Sequence, residues 1–294
     1  MTSFMSKVAY CYFRLTGYKK KTADPVRCAA YIEELRAINR NRVEAPRKGI
    51  KSEVSSEIIA GCETFFLNRG RSRAVLYLPG GSYCEQPVIQ HWQFCDRMAR
   101  EADVTAVIAV YQKAPDHTFE EAYDYLTELW NRLTADIRPE NISLMGDSSG
   151  GGLALGFAEY LRETGMQQPG QIILFSPWLD ISMETEIPKE LDRLDPSLSV
   201  TGLRRMGKNW AGTADVHDYR LSPICGDLRG LAPMTVYFGT HEIFLPDGRR
   251  FQKLCDEQGV RVNYIEGDRM NHAYPLFPIP EAKKVQRDVA AMLR

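Results

Sequence analysis

From about residue 50 onward, short apolar runs alternate with longer stretches in which apolar residues recur every three or four positions. The runs "AVLYL", "VTAVIAV", "ISLM", "QIILFS", "MTVYFG" and "RVNYIEG" are bounded by turn residues and read as buried strands. The stretches "QHWQFCDRMAREA", "TFEEAYDYLTELWNRL", "LALGFAEYLRE", "GRRFQKLCDEQ" and "IPEAKKVQRDVAAML" read as amphipathic helices. Ahead of them, "SSEIIAG" and "TFFLNR" suggest a pair of strands. Strands alternating with helices imply right-handed crossovers, hence an α/β fold with a mostly parallel central sheet flanked by helices.

Two regions depart from this alternation. Residues 1–50 read as two helical segments, the second being "DPVRCAAYIEELRAINR" with Pro25 near its start. The first places Met1, Met5, Val8, Tyr12 and Leu15 at helical spacing ahead of Lys19, Lys20 and Lys21. An interfacial helix has this form, although such a stripe more commonly covers its own protein. Between about 180 and 221 the pattern lapses into connections rich in Pro, Glu and Asp, with one helical patch around "GLRRMGKNW". The expected organisation is an N-terminal helical segment over 1–50 and one α/β domain over 51–294. The segment and the insertion at about 180–221 together would form a cap.

Composition narrows the classes. A chain of 294 residues, 44% hydrophobic and 26% charged, can bury a sizeable core. A net charge of -1, with no interleaving of basic and aromatic residues, argues against a nucleic-acid partner. Charge is uneven, however: residues 1–51 carry 12 Lys and Arg against 4 Asp and Glu. The longest apolar run, "VTAVIAVY", falls far short of the ~20 residues that span a bilayer, so no transmembrane segment is expected. No signal-like apolar region opens the chain, and a cytoplasmic protein is expected. Seven cysteines without metal-ligand spacing read as reduced thiols. Oligomeric state stays open.

The chemistry concentrates at "GDSSGGGLALGF", directly after "ISLM", where Gly146, Ser148 and Gly150 fill Gly-x-Ser-x-Gly. A nucleophile elbow needs a strand, a sharp turn crowded by small residues and then a helix, and all three are present. Such a turn lifts the Ser148 hydroxyl above the strand ends and turns the Ser149 N–H toward an oxyanion. A phosphate-binding loop fits poorly, because Gly152 and Leu153 stand where Lys and Ser or Thr belong. Serine needs a base, and the base needs an orienting acid; both should follow the serine in the chain. Of five histidines, His272 lies in a loop after the strand "RVNYIEG" and is the candidate base. "THEIFLPDG" offers Glu242 and Asp247 as the acid, with Glu242 nearer the preceding strand end.

These residues resemble the hormone-sensitive-lipase-like esterases of the α/β-hydrolase superfamily. "MGDSSGGGLAL" is similar to that family's elbow, and "VYQKAPDHTFEEAYDYL" is similar to its Tyr-Arg-Leu-Ala-Pro-Glu-His segment. "SPWLDIS" and "RMNHAYPLFP" carry the likeness further, over about 60–294. The resemblance implies hydrolysis of short-acyl carboxylic esters without a cofactor, by an α/β-hydrolase fold with a helical cap. The family's acid stands about thirty residues before its histidine, which favours Glu242 over Asp247, although Asp is the commoner residue there.

In "VLYLPGGSYCEQ" the family's His-Gly-Gly-Gly is replaced by Pro79, Gly80, Gly81 and Ser82. The resemblance makes the N–H groups of Gly81, Ser82 and Ser149 the oxyanion donors. Proline lacks an N–H, but none is required at 79. What is lost is a histidine side chain able to brace the loop. Tyr83 and Trp210 are candidate pocket walls, with core packing as the alternative for each. Two other functions stay open: a non-catalytic small-molecule binding protein on the same fold, and an amidase or peptidase.

Overall fold

The computed structural model describes residues 2–294, so Met1 of the anticipated apolar stripe lies outside the described residues. The helices α1 (Phe4–Thr16), α2 (Tyr18–Ala23) and α3 (Pro25–Asn39) come first. The remaining elements are β1 (Val54–Ile59), β2 (Cys62–Leu67), β3 (Ala74–Leu78), α4 (Ile89–Ala102), β4 (Thr105–Ala109), α5 (Phe119–Asp136), β5 (Ile142–Asp147) and α6 (Ser148–Glu163). After these follow β6 (Gln171–Phe175), α7 (Lys189–Leu194), α8 (Val200–Ala211), β7 (Met234–Gly239), α9 (Leu245–Glu257), β8 (Val262–Gly267) and α10 (Pro280–Met292).

One eight-stranded sheet runs in the order β1-β2-β4-β3-β5-β6-β7-β8. β2 pairs antiparallel with β1 and with β4, and all later pairings are parallel. The hairpin β1–β2 closes on Ala60 and Gly61, both at positive φ, as a two-residue turn between right-twisted strands requires. Alternate residues of β3 face opposite layers: Val75 and Tyr77 pack with α4 and α10, while Leu76 and Leu78 pack with α5, α6 and α9. The carboxyl ends of β3, β5, β6, β7 and β8 therefore all open onto one edge of the sheet, where ligands of such folds collect.

The N-terminal region forms three helices where the periodicity suggests two, because Gly17 takes a left-handed conformation with φ 69° and ends α1. Asp24 then caps α3, accepting from the Val26 and Arg27 N–H groups. The insertion also holds two helices where one patch is expected, α7 arising within its acidic stretch. It meets the N-terminal helices directly, as Ser199 Oγ donates to Thr22 Oγ1 at 2.9 Å. The apolar stripe of α1 faces outward and does not cover the protein body: Phe4, Met5, Val8, Tyr12 and Leu15 are all exposed. Among the described residues no helix is long and apolar enough to cross a membrane.

Candidate active site

β5 ends at Asp147 and α6 begins at Ser148, whose φ of 53° is left-handed. Such strain in a non-glycine residue is what a strand-to-helix elbow imposes. The glycines around it are required by crowding. A Cβ on Gly150 would stand 2.0 Å from the Leu78 carbonyl oxygen, and one on Gly146 would stand 2.4 Å from that of Gly150. Ser148 is only 7% exposed.

The loop after β3 presses against this elbow. A Cβ on Gly80 would lie 2.8 Å from Ser148 Cβ, so the backbone of the loop runs beside the serine. Gly81 has φ 133°, Ser82 φ 50° and Tyr83 φ 61°. The Tyr83 N–H donates to Ser149 Oγ at 3.3 Å, tying the loop to α6. The loop is braced without the family's histidine. Tyr111 Oη donates to the Pro79 carbonyl at 2.7 Å, and the Gly80 N–H donates to Asp147 Oδ1 at 2.9 Å.

Asp147 is itself held from two further sides. Tyr77 Oη donates to its Oδ1 at 2.6 Å, and His91 Nε2 lies 3.3 Å from its Oδ2. The Val88 N–H donates to His91 Nδ1 at 3.0 Å, which leaves the ring proton on Nε2, facing the carboxylate. Burial opposes the charge on Asp147, but His91 and the Tyr77 and Gly80 donors together hold its carboxyl below the usual range.

On the loop after β8, His272 Nδ1 lies 2.6 Å from Glu242 Oε2. Glu242, fully buried, also accepts the Gly239 N–H at 2.7 Å through Oε1. Burial pushes the Glu242 carboxyl up against these donors. Burial works to lower the His272 pKa, but the hydrogen bond and charge of Glu242 outweigh it, and the ring is raised above its ordinary value. The second ring nitrogen, His272 Nε2, is buried and has no partner among the described residues. The Phe244 ring meets the imidazole edge-on, with centroids 5.2 Å apart.

Of the two candidate acids, only Glu242 is brought to the histidine. Asp247 sits in the first turn of α9 and accepts from Thr185 Oγ1 of the insertion at 2.6 Å. Burial there pushes its carboxyl up to about 6.

A family model described as the alpha/beta hydrolase fold matches residues 75–276, more than half of the chain. The chain belongs to the α/β-hydrolase family. An esterase of Acinetobacter venetianus is 29% identical over 224 residues, covering 74% of this hydrolase and 74% of that protein. An acetyl-hydrolase of Streptomyces hygroscopicus is 27% identical over 229 residues, covering 77% of each. The crystal structure of an esterase/lipase from an uncultured bacterium superposes with a TM-score of 0.85 at 24% identity, covering 99% of this chain and 98% of that one. With the motifs above, these matches place the hydrolase among the hormone-sensitive-lipase-like esterases.

The two suggested pocket walls are packed together and closed off from solvent. Tyr83 stacks on Trp210 with centroids 4.6 Å apart and planes 3° from parallel. Tyr83 also stacks on Trp178, and Trp178 on Phe244, so an aromatic column runs from the loop to the His272 ring. Two clefts of about 290 Å³ open near α1, one beneath it reaching Asn271 and the other at its C-terminal end reaching Asp195, and Ser148 lines neither.

Several contributors to the site of this hydrolase carry no local sequence signal. His91 precedes Ser148 and so falls outside the chain order expected of a base, yet it steadies Asp147. Asp195, in the insertion, accepts the Ile243 N–H at 2.9 Å beside Glu242. Ser176 Oγ accepts the Ala273 N–H at 2.9 Å beside His272. The only available signals are the motifs themselves, since Asp147 lies within "GDSSGG" and Ser176 opens "SPWLDIS".

Proposed function

We propose that this carboxylic ester hydrolase works through an acyl-enzyme formed on Ser148, with His272 as base and Glu242 as its orienting acid. Ser148 Oγ attacks the ester carbonyl carbon as His272 Nε2 takes its proton. The developing oxyanion is held by the N–H groups of Gly81, Ser82 and Ser149, each worth about 3 to 4 kcal/mol in the transition state. His272 returns the proton to the departing alcohol oxygen. It then draws a proton from water, which attacks the acyl carbon, and hands that proton to Ser148 Oγ as the acyl–oxygen bond breaks, releasing the acid.

The observation that carries this reading is the state of His272: one ring nitrogen is fixed on a buried carboxylate, and the other is buried without a partner. A merely structural histidine in a folded interior satisfies both nitrogens. The enclosure of Ser148 and the aromatic column beside it favour small acyl groups, as does the acetyl-hydrolase among the relatives. The N-terminal helices and the insertion at about 180–221 form the cap over this site, and its displacement admits substrate. A cytoplasmic location belongs to the same proposal and is checked by cell fractionation.

The test compares wild type with Ser148→Ala on p-nitrophenyl esters from acetate to long chains. Loss of turnover in a folded Ser148→Ala, with acetate and butyrate preferred in wild type, is expected. Equal turnover by both proteins would overturn the mechanism, and a long-chain preference would overturn the substrate class. Binding without turnover in wild type, or turnover of anilides in preference to esters, would support the receptor or amidase reading instead.

A further inference from the structure

The helix α1 is built inside out. At about 100° per residue, Phe4, Met5, Val8, Cys11, Tyr12 and Leu15 fall within one arc of roughly 120°. That arc points away from the protein: Phe4 is 77% exposed, Tyr12 65% and Leu15 85%. The opposite face carries Ser3 and Ser6 together with Ala9 and Phe13, which pack on the protein. Ser3 and Ser6 donate through their hydroxyls to Glu281 Oε2 of α10 at 2.9 and 2.6 Å, and the Ser3 N–H donates to Glu281 Oε1. Phe13 packs edge-on against Phe277, with centroids 5.0 Å apart. These contacts fix the rotation of the helix about its axis. The outward stripe is therefore held in place by these inner-face contacts.

Charge identifies what the stripe meets. Residues 2–23 carry Lys7, Arg14, Lys19, Lys20 and Lys21 and no Asp or Glu. Lys19 pairs with Asp192 and Lys21 with Glu34, whereas Lys7, Arg14 and Lys20 are exposed. Lys7 and Arg14 border one side of the apolar arc. Two copies of the chain meeting through this face would set basic residues against basic residues. An anionic phospholipid surface takes both components at once, acyl chains against the stripe and headgroups against the cations.

We propose that α1 docks this protein on anionic phospholipid membranes, lying in the interface with Phe4, Val8, Tyr12 and Leu15 toward the acyl chains. The helix does not span the bilayer. It sits beside the cleft that reaches Asn271, the residue before His272 in the chain. The docking itself is independent of the catalytic reading.

Sedimentation of the full chain with vesicles of phosphatidylcholine alone, or of phosphatidylcholine with phosphatidylglycerol in equal parts, tests this. Wild type is expected to pellet with the mixed vesicles and remain in solution with the neutral ones. The variant Phe4→Ser/Val8→Ser/Leu15→Ser is expected to lose about tenfold or more in partitioning, with an unchanged melting temperature. Lys7→Glu/Arg14→Glu, which spares the stripe, is expected to lose about as much, and the loss in wild type is reproduced by high salt. Wild type that stays in solution with mixed vesicles would overturn the proposal. So would binding that survives the triple substitution, which would reduce it to charge adhesion. A wild-type dimer that the triple substitution converts to a monomer would also overturn it, by showing that a second copy covers the face.

Discussion

Tyr18 Oη donates to Glu85 Oε1 at 2.8 Å, a hydrogen bond from α2 to the loop that carries Gly81 and Ser82. Tyr31 of α3 donates to the same oxygen at 2.8 Å, and Asn39 Nδ2 donates to the Cys84 carbonyl at 2.8 Å. The Glu85 N–H closes the turn onto the Gly81 carbonyl at 2.8 Å. Burial pushes the Glu85 carboxyl up against the two phenols that stabilise its charge. The N-terminal helices thereby hold the loop at Cys84 and Glu85, as Asp147 holds it at Gly80. In Tyr18→Phe/Tyr31→Phe the carboxyl loses both donors while the loop keeps its sequence. Displaced N–H groups weaken transition-state binding more than substrate binding. A fall of about tenfold in kcat for p-nitrophenyl acetate, with KM little changed, is expected. An unaltered kcat in the double variant would show that the clamp is only structural.

With His272 as the proposed base, the Glu242–His272 pair should set the acid limb of the pH profile. The His272 pKa is raised above its ordinary 6.5, so the base form is lost as pH falls through a value higher than that of an unperturbed histidine. The acid limb of kcat/KM should accordingly lie above pH 6.5. Glu242→Gln removes the charge, so the limb moves to lower pH while kcat falls about 10²- to 10⁴-fold. Asp247→Ala should leave the limb in place and cost stability, because Thr185 loses its acceptor. A collapse of turnover in folded Asp247→Ala, with Glu242→Gln active, would reverse the assignment.

Asp147 links acid stability to the loop at Gly80. Its folded carboxyl is held below its ordinary 3.8, so the stabilisation is present above that value and is lost as pH falls through the lowered one. Asp147→Asn keeps the shape but loses the charge that Gly80, Tyr77 and His91 address. A loss of about 2 to 4 kcal/mol near neutral pH is expected. Urea melts at a series of pH values should show the gap between wild type and variant narrowing below about pH 4. A gap independent of pH would mean that the carboxylate charge contributes nothing.

Signals carried within a few residues were legible in the sequence. The elbow at Ser148 is one, because a strand, a crowded turn and a helix lie end to end. Position after the strand favoured Glu242 over Asp247 only modestly, and the family resemblance supplied the spacing to His272; the structure pairs His272 with Glu242. The braces were not legible. Tyr77, His91 and Tyr111 reach the loop and Asp147 from β3, from α4 and from beyond β4, and no local pattern marks a side chain that meets its partner across the sheet. Periodicity found the stripe on α1 but not its direction, since direction depends on what the other face contacts. That contact joins the two ends of the chain: Ser6 meets Glu281 across a separation of 275 residues.

Ser82 and Tyr111 separate the two ways in which the loop could depend on its sequence. A left-handed φ of 50° costs a residue with a Cβ about 1 to 2 kcal/mol. Ser82→Gly relieves that strain but gives the unfolded chain more freedom, so the stabilities should agree within about 1 kcal/mol. The proposed donor at 82 is the backbone N–H, which glycine retains, so kcat should be nearly unchanged. Tyr111→Phe instead removes the hydroxyl that holds the Pro79 carbonyl from a buried position. The orphaned carbonyl costs about 1 to 3 kcal/mol, and the loosened loop lowers kcat with KM little altered. If Ser82→Gly collapses turnover while Tyr111→Phe is neutral, the serine side chain and not the brace at Pro79 sets the loop.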